Sequence, residues 1–240
     1  MGEGTSALRA VILAGGKGTR LWPYTSVFPK PLLPVGNRPI LEIVLRQLKK
    51  AGVTRATLAV GHMADMFPQV LNNATIKGLR IDYAREARPQ GTAAPLRNIK
   101  GLTKTFLVMN GDILTDLDYK DLIRYHKSKG AVATVATFRR TIDVDFGVVE
   151  TGRDGLISNY IEKPRLSYKV SMGIYIFEPR VVKYIPRRGR YDFPELVLKL
   201  LSHDEPVAAY SFRGRWLDIG RPDDFMSAQQ EIARKAQRYL

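Results

Sequence analysis

The sequence predicts an α/β fold: a doubly wound, mainly parallel sheet in the first half, extended by antiparallel or mixed pairing in the second. Three observations carry this expectation. Short apolar runs alternate with amphipathic stretches up to Gly130, β-branched runs outnumber helical ones after it, and a glycine-rich turn directly follows the first strand.

Residues 9–14 read as the first strand, 40–50 as a helix, 56–60 as a strand and 68–72 as a short helix. Strands at 79–83 and 105–110 come next, followed by a helix over 117–129 that Asp116 is placed to cap. This βαβ rhythm yields parallel neighbours through crossover connections. After Gly130, strands over 132–138, 147–150, 156–162, 171–177 and 207–212 accompany helices near Phe193 and Asp223. No linker, repeat or low-complexity segment separates the halves, so 8–240 is expected to be one domain behind a flexible N-terminus at 1–7. In such sheets the ligand cleft lies beyond the carboxyl ends of the strands.

Composition excludes several classes. With 240 residues, 45% of them hydrophobic, the chain is long enough to bury a substantial core. The longest apolar runs fall far short of the ~20 residues that cross a bilayer, and the N-terminus lacks a signal-peptide pattern, so a cytoplasmic location with no membrane partner is expected. The absence of cysteine removes disulfides, zinc-thiolate sites and thiol nucleophiles. A net charge of +15 suits either nucleic acid or several phosphates. Its Lys and Arg residues are scattered over 38–50, 120–129, 180–190 and 234–238 without interleaved aromatics, so nucleic acid is not an expected partner.

After the first strand comes Leu13-Ala14-Gly15-Gly16-Lys17-Gly18-Thr19-Arg20-Leu21. Its glycines remove the Cβ atoms that would hold a phosphate chain away from backbone N–H groups. A Walker loop requires Ser or Thr after Gly-Lys, and here Lys17 precedes Gly18. A dinucleotide fingerprint requires a glycine where Leu21 stands and an acid where the second strand leads into Val60-Gly61-His62. Neither pattern is met. Arg20 and the proline-framed Lys30 of Phe28-Pro29-Lys30-Pro31-Leu32-Leu33-Pro34 supply two cations suited to a departing pyrophosphate.

The run over 13–34, together with Asn110-Gly111-Asp112, Glu162-Lys163-Pro164, Ser171-Met172-Gly173-Ile174-Tyr175 and Trp216-Leu217-Asp218-Ile219-Gly220, resembles the sugar-nucleotide pyrophosphorylases in motif content and order. The resemblance is closest to mannose-1-phosphate guanylyltransferase-like members. It implies a single-domain, Rossmann-like, glycosyltransferase-A-like nucleotidyltransferase fold, with nucleotide bound by 8–130 and sugar phosphate by 131–240. It also implies Mg2+ held by Asp112 and Asp218, with Arg20, Lys30 and both aspartates as catalytic residues. Leu13, Ala14, Gly15, Gly16, Gly18, Thr19, Glu86, Gly91 and Thr92 are the implied nucleotide contacts. Gly147, Glu162, Lys163, Ser171 and Gly173 are the implied sugar-phosphate contacts, although many relatives carry Asn at the position of Ser171.

The base is read from Glu86, which precedes Gly91-Thr92-Ala93-Ala94 by five residues. A carboxylate offers two acceptors to the N1–H and N2–H of guanine, whereas the Gln of many uridylyl- and thymidylyltransferases offers one acceptor and one donor. GTP is therefore the expected nucleotide. Gln90, where relatives often have Leu, is also in reach of a base edge. Mannose 1-phosphate is the expected acceptor by family frequency, and heptose and glucose 1-phosphates are the alternatives, the latter with UTP or dTTP. A catalytically idle regulatory subunit is the reading from another class, and a homo-oligomer is expected.

Overall fold

The computed structural model describes residues 8–71, 74–235 and 239, so the expected loose N-terminus at 1–7 lies outside the described residues. In chain order the elements are β1 (Leu8–Leu13), β2 (Pro34–Val35), β3 (Arg38–Pro39), α1 (Ile40–Lys50), β4 (Val53–Val60), α2 (Met66–Val70), β5 (Arg80–Arg85), β6 (Phe106–Asn110) and β7 (Ile113–Thr115). Then follow α3 (Tyr119–Ser128), β8 (Ala133–Asp143), β9 (Val148–Thr151), β10 (Ile157–Ile161), β11 (Arg165–Phe177), α4 (Phe193–Leu201), β12 (Val207–Phe212), β13 (Trp216–Asp218) and α5 (Pro222–Lys235).

Seven strands make one mixed sheet in the order β12-β8-β11-β6-β1-β4-β5. β5, β4, β1 and β6 run parallel, β11 runs antiparallel to both β6 and β8, and β12 returns parallel to β8. The α/β class and the change of pairing after Gly130 are as the sequence predicts.

Both faces of the sheet are covered, which explains why central strands are apolar throughout instead of alternating. Ala10, Val11 and Ile12 of β1 are all fully buried. On one face, Ile12, Leu58 and Leu107 pack with Leu41, Val44, Leu45 and Leu48 of α1 and Leu122 of α3. On the other, Val11, Phe106, Val108 and Phe177 pack with Phe193, Leu196 and Leu200 of α4. A third cluster joins Leu21, Leu33 and Val35 of the loop region to Ile40 and Ile43 of α1 and to Phe225, Ala228 and Ile232 of α5. The chain between β1 and α1 is thereby anchored on two helices.

Three local expectations are corrected. The N-cap of α3 is Asp118, whose Oδ1 accepts the amides of Lys120 (2.8 Å) and Asp121 (3.3 Å). Asp116 instead accepts the Arg215 amide at 2.6 Å, so its carboxylate is engaged across the fold. The short helix is α2, starting two residues earlier than expected, with Pro68 in its first turn, where a missing N–H costs nothing. Asn72, the expected end of that helix, lies outside the described residues. β8 and β11 also run past their predicted limits into a paired ribbon, 139–143 against 165–169, whose side chains are exposed.

Candidate active site

β1 delivers the chain to the carboxyl edge of the sheet, where the Ala14 amide makes a last bond to the Ala59 carbonyl (2.8 Å). Beyond it, no amide from 15 to 19 donates to another group among the described residues. Gly18 has φ 64°, and a Cβ there would lie 2.8 Å from Thr25 Cγ2 and 3.1 Å from Lys30 Cβ. Only glycine fits both the conformation and the space. Leu13, Ala14, Gly15, Gly16, Gly18, Thr19 and Arg20 line a cleft of about 470 Å³, which Lys30, Glu86, Gly91, Thr92 and Asp112 also border. The loop thus presents unpaired backbone donors to a cavity of ligand size.

Lys30 is buried in a helical turn behind Pro29, and its ammonium donates to Asp112 Oδ2. Asp112 follows β6, which Gly111 ties to β1 by donating to the Leu13 carbonyl (2.9 Å). Asp218 reaches the same region through the pairing of β13 with β7, which sets Asp218 opposite Ile113, while the Ile219 amide donates to the Asp112 carbonyl (3.1 Å). Burial raises the Asp218 pKa above the usual carboxylate value, and the Asp112 charge adds to this against the pull of Lys30 and Arg20.

Asp112 Oδ1 is buried without a hydrogen-bond partner among the described residues. An unpartnered buried carboxylate oxygen beside a second carboxylate is a donor set that fits a hard divalent cation. Among the described residues no cluster of three or more His, Asp or Glu is placed to hold a metal ion, so further ligands would have to come from substrate oxygens and water.

At the other end of the cleft, Glu86 follows β5 and its amide donates to the Val60 carbonyl (2.8 Å). A Cβ on Gly15 would lie 3.4 Å from Glu86 Oε1, so the carboxylate closes directly on the glycine loop. Burial raises its pKa, opposed by the Gln90 N–H, which donates to Oε2 at 3.3 Å, and by Arg97. The segment 90–94 is held from the far half of the chain. Asp192 Oδ1 accepts the Thr92 amide (2.7 Å) and hydroxyl (3.1 Å), the Tyr191 carbonyl accepts the Ala93 and Ala94 amides (3.0 and 3.1 Å), and the Tyr191 amide donates to the Gln90 carbonyl (2.8 Å).

The five residues expected to contact sugar phosphate divide into two groups. Ser171 and Gly173 sit at an irregularity of β11, where Gly173 donates to Ser171 Oγ (3.2 Å) and Ser171 Oγ bonds Tyr175 Oη (3.0 Å). Gly173 has φ 70° and lies against Asn110 of the cleft wall, whose Nδ2 would be 2.6 Å from an added Cβ. None of the five lines the cleft itself, and Gly147, Glu162 and Lys163 also lack the contact with its wall that Gly173 makes through Asn110. Glu162 and Lys163 are exposed beside the β9–β10 hairpin, and Tyr160 links two of the three by lying against Gly147 and donating to Glu162 Oε2 (3.2 Å).

Arg190 and Asp192 also border the cleft, and no sequence motif singles them out as site residues. Asp192 does carry a local signal. It precedes Phe193-Pro194-Glu195, an N-cap pattern in which Glu195 accepts the Asp192 amide at 2.7 Å. Nothing local indicates that the same carboxylate also holds Thr92.

Comparison with known proteins follows the same lines. The nucleotidyl transferase family pattern matches residues 9–235. Mannose-1-phosphate guanyltransferase beta-B of Xenopus laevis is 35% identical over 92% of this chain and 63% of its own length. The UTP--glucose-1-phosphate uridylyltransferase of Synechocystis is 34% identical over 92% of this chain and 62% of its own. The chain therefore spans less than two thirds of these relatives. The crystal structure of HddC from Yersinia pseudotuberculosis complexed with GMP-PN aligns with a TM-score of 0.71 at 26% identity, covering 94% of this chain and 99% of that one. By sequence pattern and by relatives, the chain belongs to the nucleotidyl transferase family.

Proposed function

We propose that the chain transfers a nucleoside monophosphate from GTP to a sugar 1-phosphate, with mannose 1-phosphate the favoured acceptor. The carrying observation is that one cleft is bordered by loop residues whose amides are unpaired among the described residues and by Arg20, Lys30 and Asp112, with Asp218 outside its lining but near enough to feel the Asp112 charge. An oxygen of the sugar phosphate attacks the α-phosphorus, the bond to the bridging oxygen breaks in line, and pyrophosphate leaves. The acceptor phosphate is already ionised at neutral pH, so no protein base is required.

In this reading Gly15, Gly16, Gly18 and Thr19 offer amides to the triphosphate, and Arg20 and Lys30 stabilise the charge that accumulates on the leaving group. Asp112 and Asp218 would hold Mg2+, which when bound neutralises phosphate oxygens and aligns them. Glu86, Gly91 and Thr92 form the base end. Ser171 and Gly173 face the acceptor beside Asn110, and Gly147, Glu162 and Lys163 contribute from the hairpin side. The relatives named for mannose 1-phosphate and the two acceptor oxygens of Glu86 support the substrate pair.

A matrix of five nucleoside triphosphates against mannose, glucose and heptose 1-phosphates, read by pyrophosphate release, tests the proposal. GTP with mannose 1-phosphate is expected to lead. Release with no pair would overturn the reaction, and a preference for UTP or dTTP would overturn the base assignment.

A further inference from the structure

Resting on the guanosine reading of Glu86, we propose that Gln90, held by Arg97, is a specificity-determining residue that reads O6 of the base. Arg97 is anchored on the side away from Gln90: its Nη1 donates to the Pro186 carbonyl (2.8 Å) and the Gly189 carbonyl (3.1 Å). Its Nη2 donates to Gln90 Oε1. A guanidinium has donors only, so the Gln90 amide must turn its oxygen to Arg97 and leave Nε2 pointing elsewhere. Among the described residues Nε2 has no partner, it is not buried, and Gln90 borders the cleft. The Gln90 backbone N–H donates to Glu86 Oε2 at 3.3 Å, which holds the Glu86 carboxylate against residue 90.

The pair thus offers one donor followed by two acceptors. Guanine presents the complement: the O6 acceptor, then the N1–H and N2–H donors. Uracil and thymine match the first two positions but set O2 against a carboxylate oxygen, and adenine reverses the first two. With its amide locked by Arg97, Gln90 cannot rotate to accept from adenine N6, so discrimination includes a repulsive element as well as an attractive one. Gln90 contacts the base in this scheme, and Arg97 is a positioning residue acting through it.

The test is equilibrium titration of the full chain with GTP, 6-thio-GTP and UTP in Mg2+, alongside kcat/KM for each. The sulfur of 6-thio-GTP is a poor acceptor, while its N1–H and N2–H are retained. The unaltered chain should prefer GTP over 6-thio-GTP by about tenfold, the worth of one hydrogen bond at a discriminating position. Gln90→Leu should weaken GTP about tenfold and leave 6-thio-GTP unchanged, bringing the ratio near one. Gln90→Glu keeps the size and the Arg97 contact, and should weaken GTP further. Arg97→Met should lower the ratio with Gln90 intact, and Arg97→Lys, still a donor, should largely restore it.

A GTP to 6-thio-GTP ratio unaffected by Gln90→Leu and Gln90→Glu would overturn the proposal. Loss of the ratio in the Gln90 variants but not in Arg97→Met would overturn the positioning role. Preference of the unaltered chain for UTP would instead overturn the guanosine reading itself.

Discussion

Lys30 and Asp112 form an ion pair that is largely withdrawn from water, with side chains 11% and 19% exposed, while the second Asp112 oxygen has no partner at all among the described residues. Removing one member of such a pair leaves the other charge buried and uncompensated. Lys30→Met should therefore lower stability by about 3 kcal/mol and turnover by about 100-fold or more. Urea unfolding and pyrophosphate release measure the two effects separately; unchanged unfolding would show that the pair contributes nothing to the fold.

Burial raises the Asp218 pKa first and the neighbouring Asp112 charge adds to it, so two carboxylates stand close enough to repel one another. A divalent cation bound by both relieves that repulsion and should stabilise the folded chain by mass action. Millimolar Mg2+ is expected to raise the melting temperature of the unaltered chain and to have little effect on Asp112→Asn or Asp218→Asn. Both substitutions should cut turnover by orders of magnitude, and Asp112→Asn, which leaves Lys30 without its carboxylate, should also lower stability, whereas Asp218→Asn should not. Near-normal turnover in Asp112→Asn would remove it from the metal assignment.

Two loop glycines separate backbone strain from ligand approach. Gly18→Ala forces a left-handed conformation and a Cβ onto Thr25 and the Lys30 stem, so it should cost about 1–2 kcal/mol of stability and disturb Lys30. A Cβ added at Gly16 would meet nothing within 4 Å, and the backbone there has no positive φ. Gly16→Ala should therefore leave the melting temperature unchanged and raise KM for the triphosphate alone. Equal thermal losses in the two variants would contradict this division.

His126 is 1% exposed, bonded at Nδ1 to Thr134 Oγ1 (2.7 Å) and at Nε2 to Glu178 Oε1 (3.1 Å). Burial holds its pKa below the ordinary 6.5, outweighing the upward pull of Glu178. In the window between the folded value and 6.5 the unfolded chain binds the extra proton, so stability falls as pH drops through that window. Urea midpoints measured from about pH 7.5 down to 5.5 should decline more steeply for the unaltered chain than for His126→Gln. Parallel declines would assign the acid sensitivity to other groups.

Much of the fold is legible in the sequence because its signals are local. The apolar run of β1, the period of α1 and the alternation leading to β12 each need only neighbours in sequence to be read. β7 and β13, three residues each, carry too little pattern to announce themselves, yet their pairing is what brings Asp218 beside Asp112. The capping of α3 is illegible for a related reason. Asp116 and Asp118 are equally good caps in isolation, and only the distant Arg215 amide decides which is free.

The sequence by itself determined the glycine loop, its two cations and the order of the aspartate motifs, since phosphate chemistry constrains residue type and local spacing. Tertiary structure alone decided the rest. It set Lys30 on Asp112, left Asp112 Oδ1 unpartnered, held Thr92 by Asp192 and turned the Gln90 amide with Arg97. Each of these depends on which groups burial and strand pairing bring within hydrogen-bond reach, and a distance of about 3 Å in space has no fixed counterpart in sequence separation.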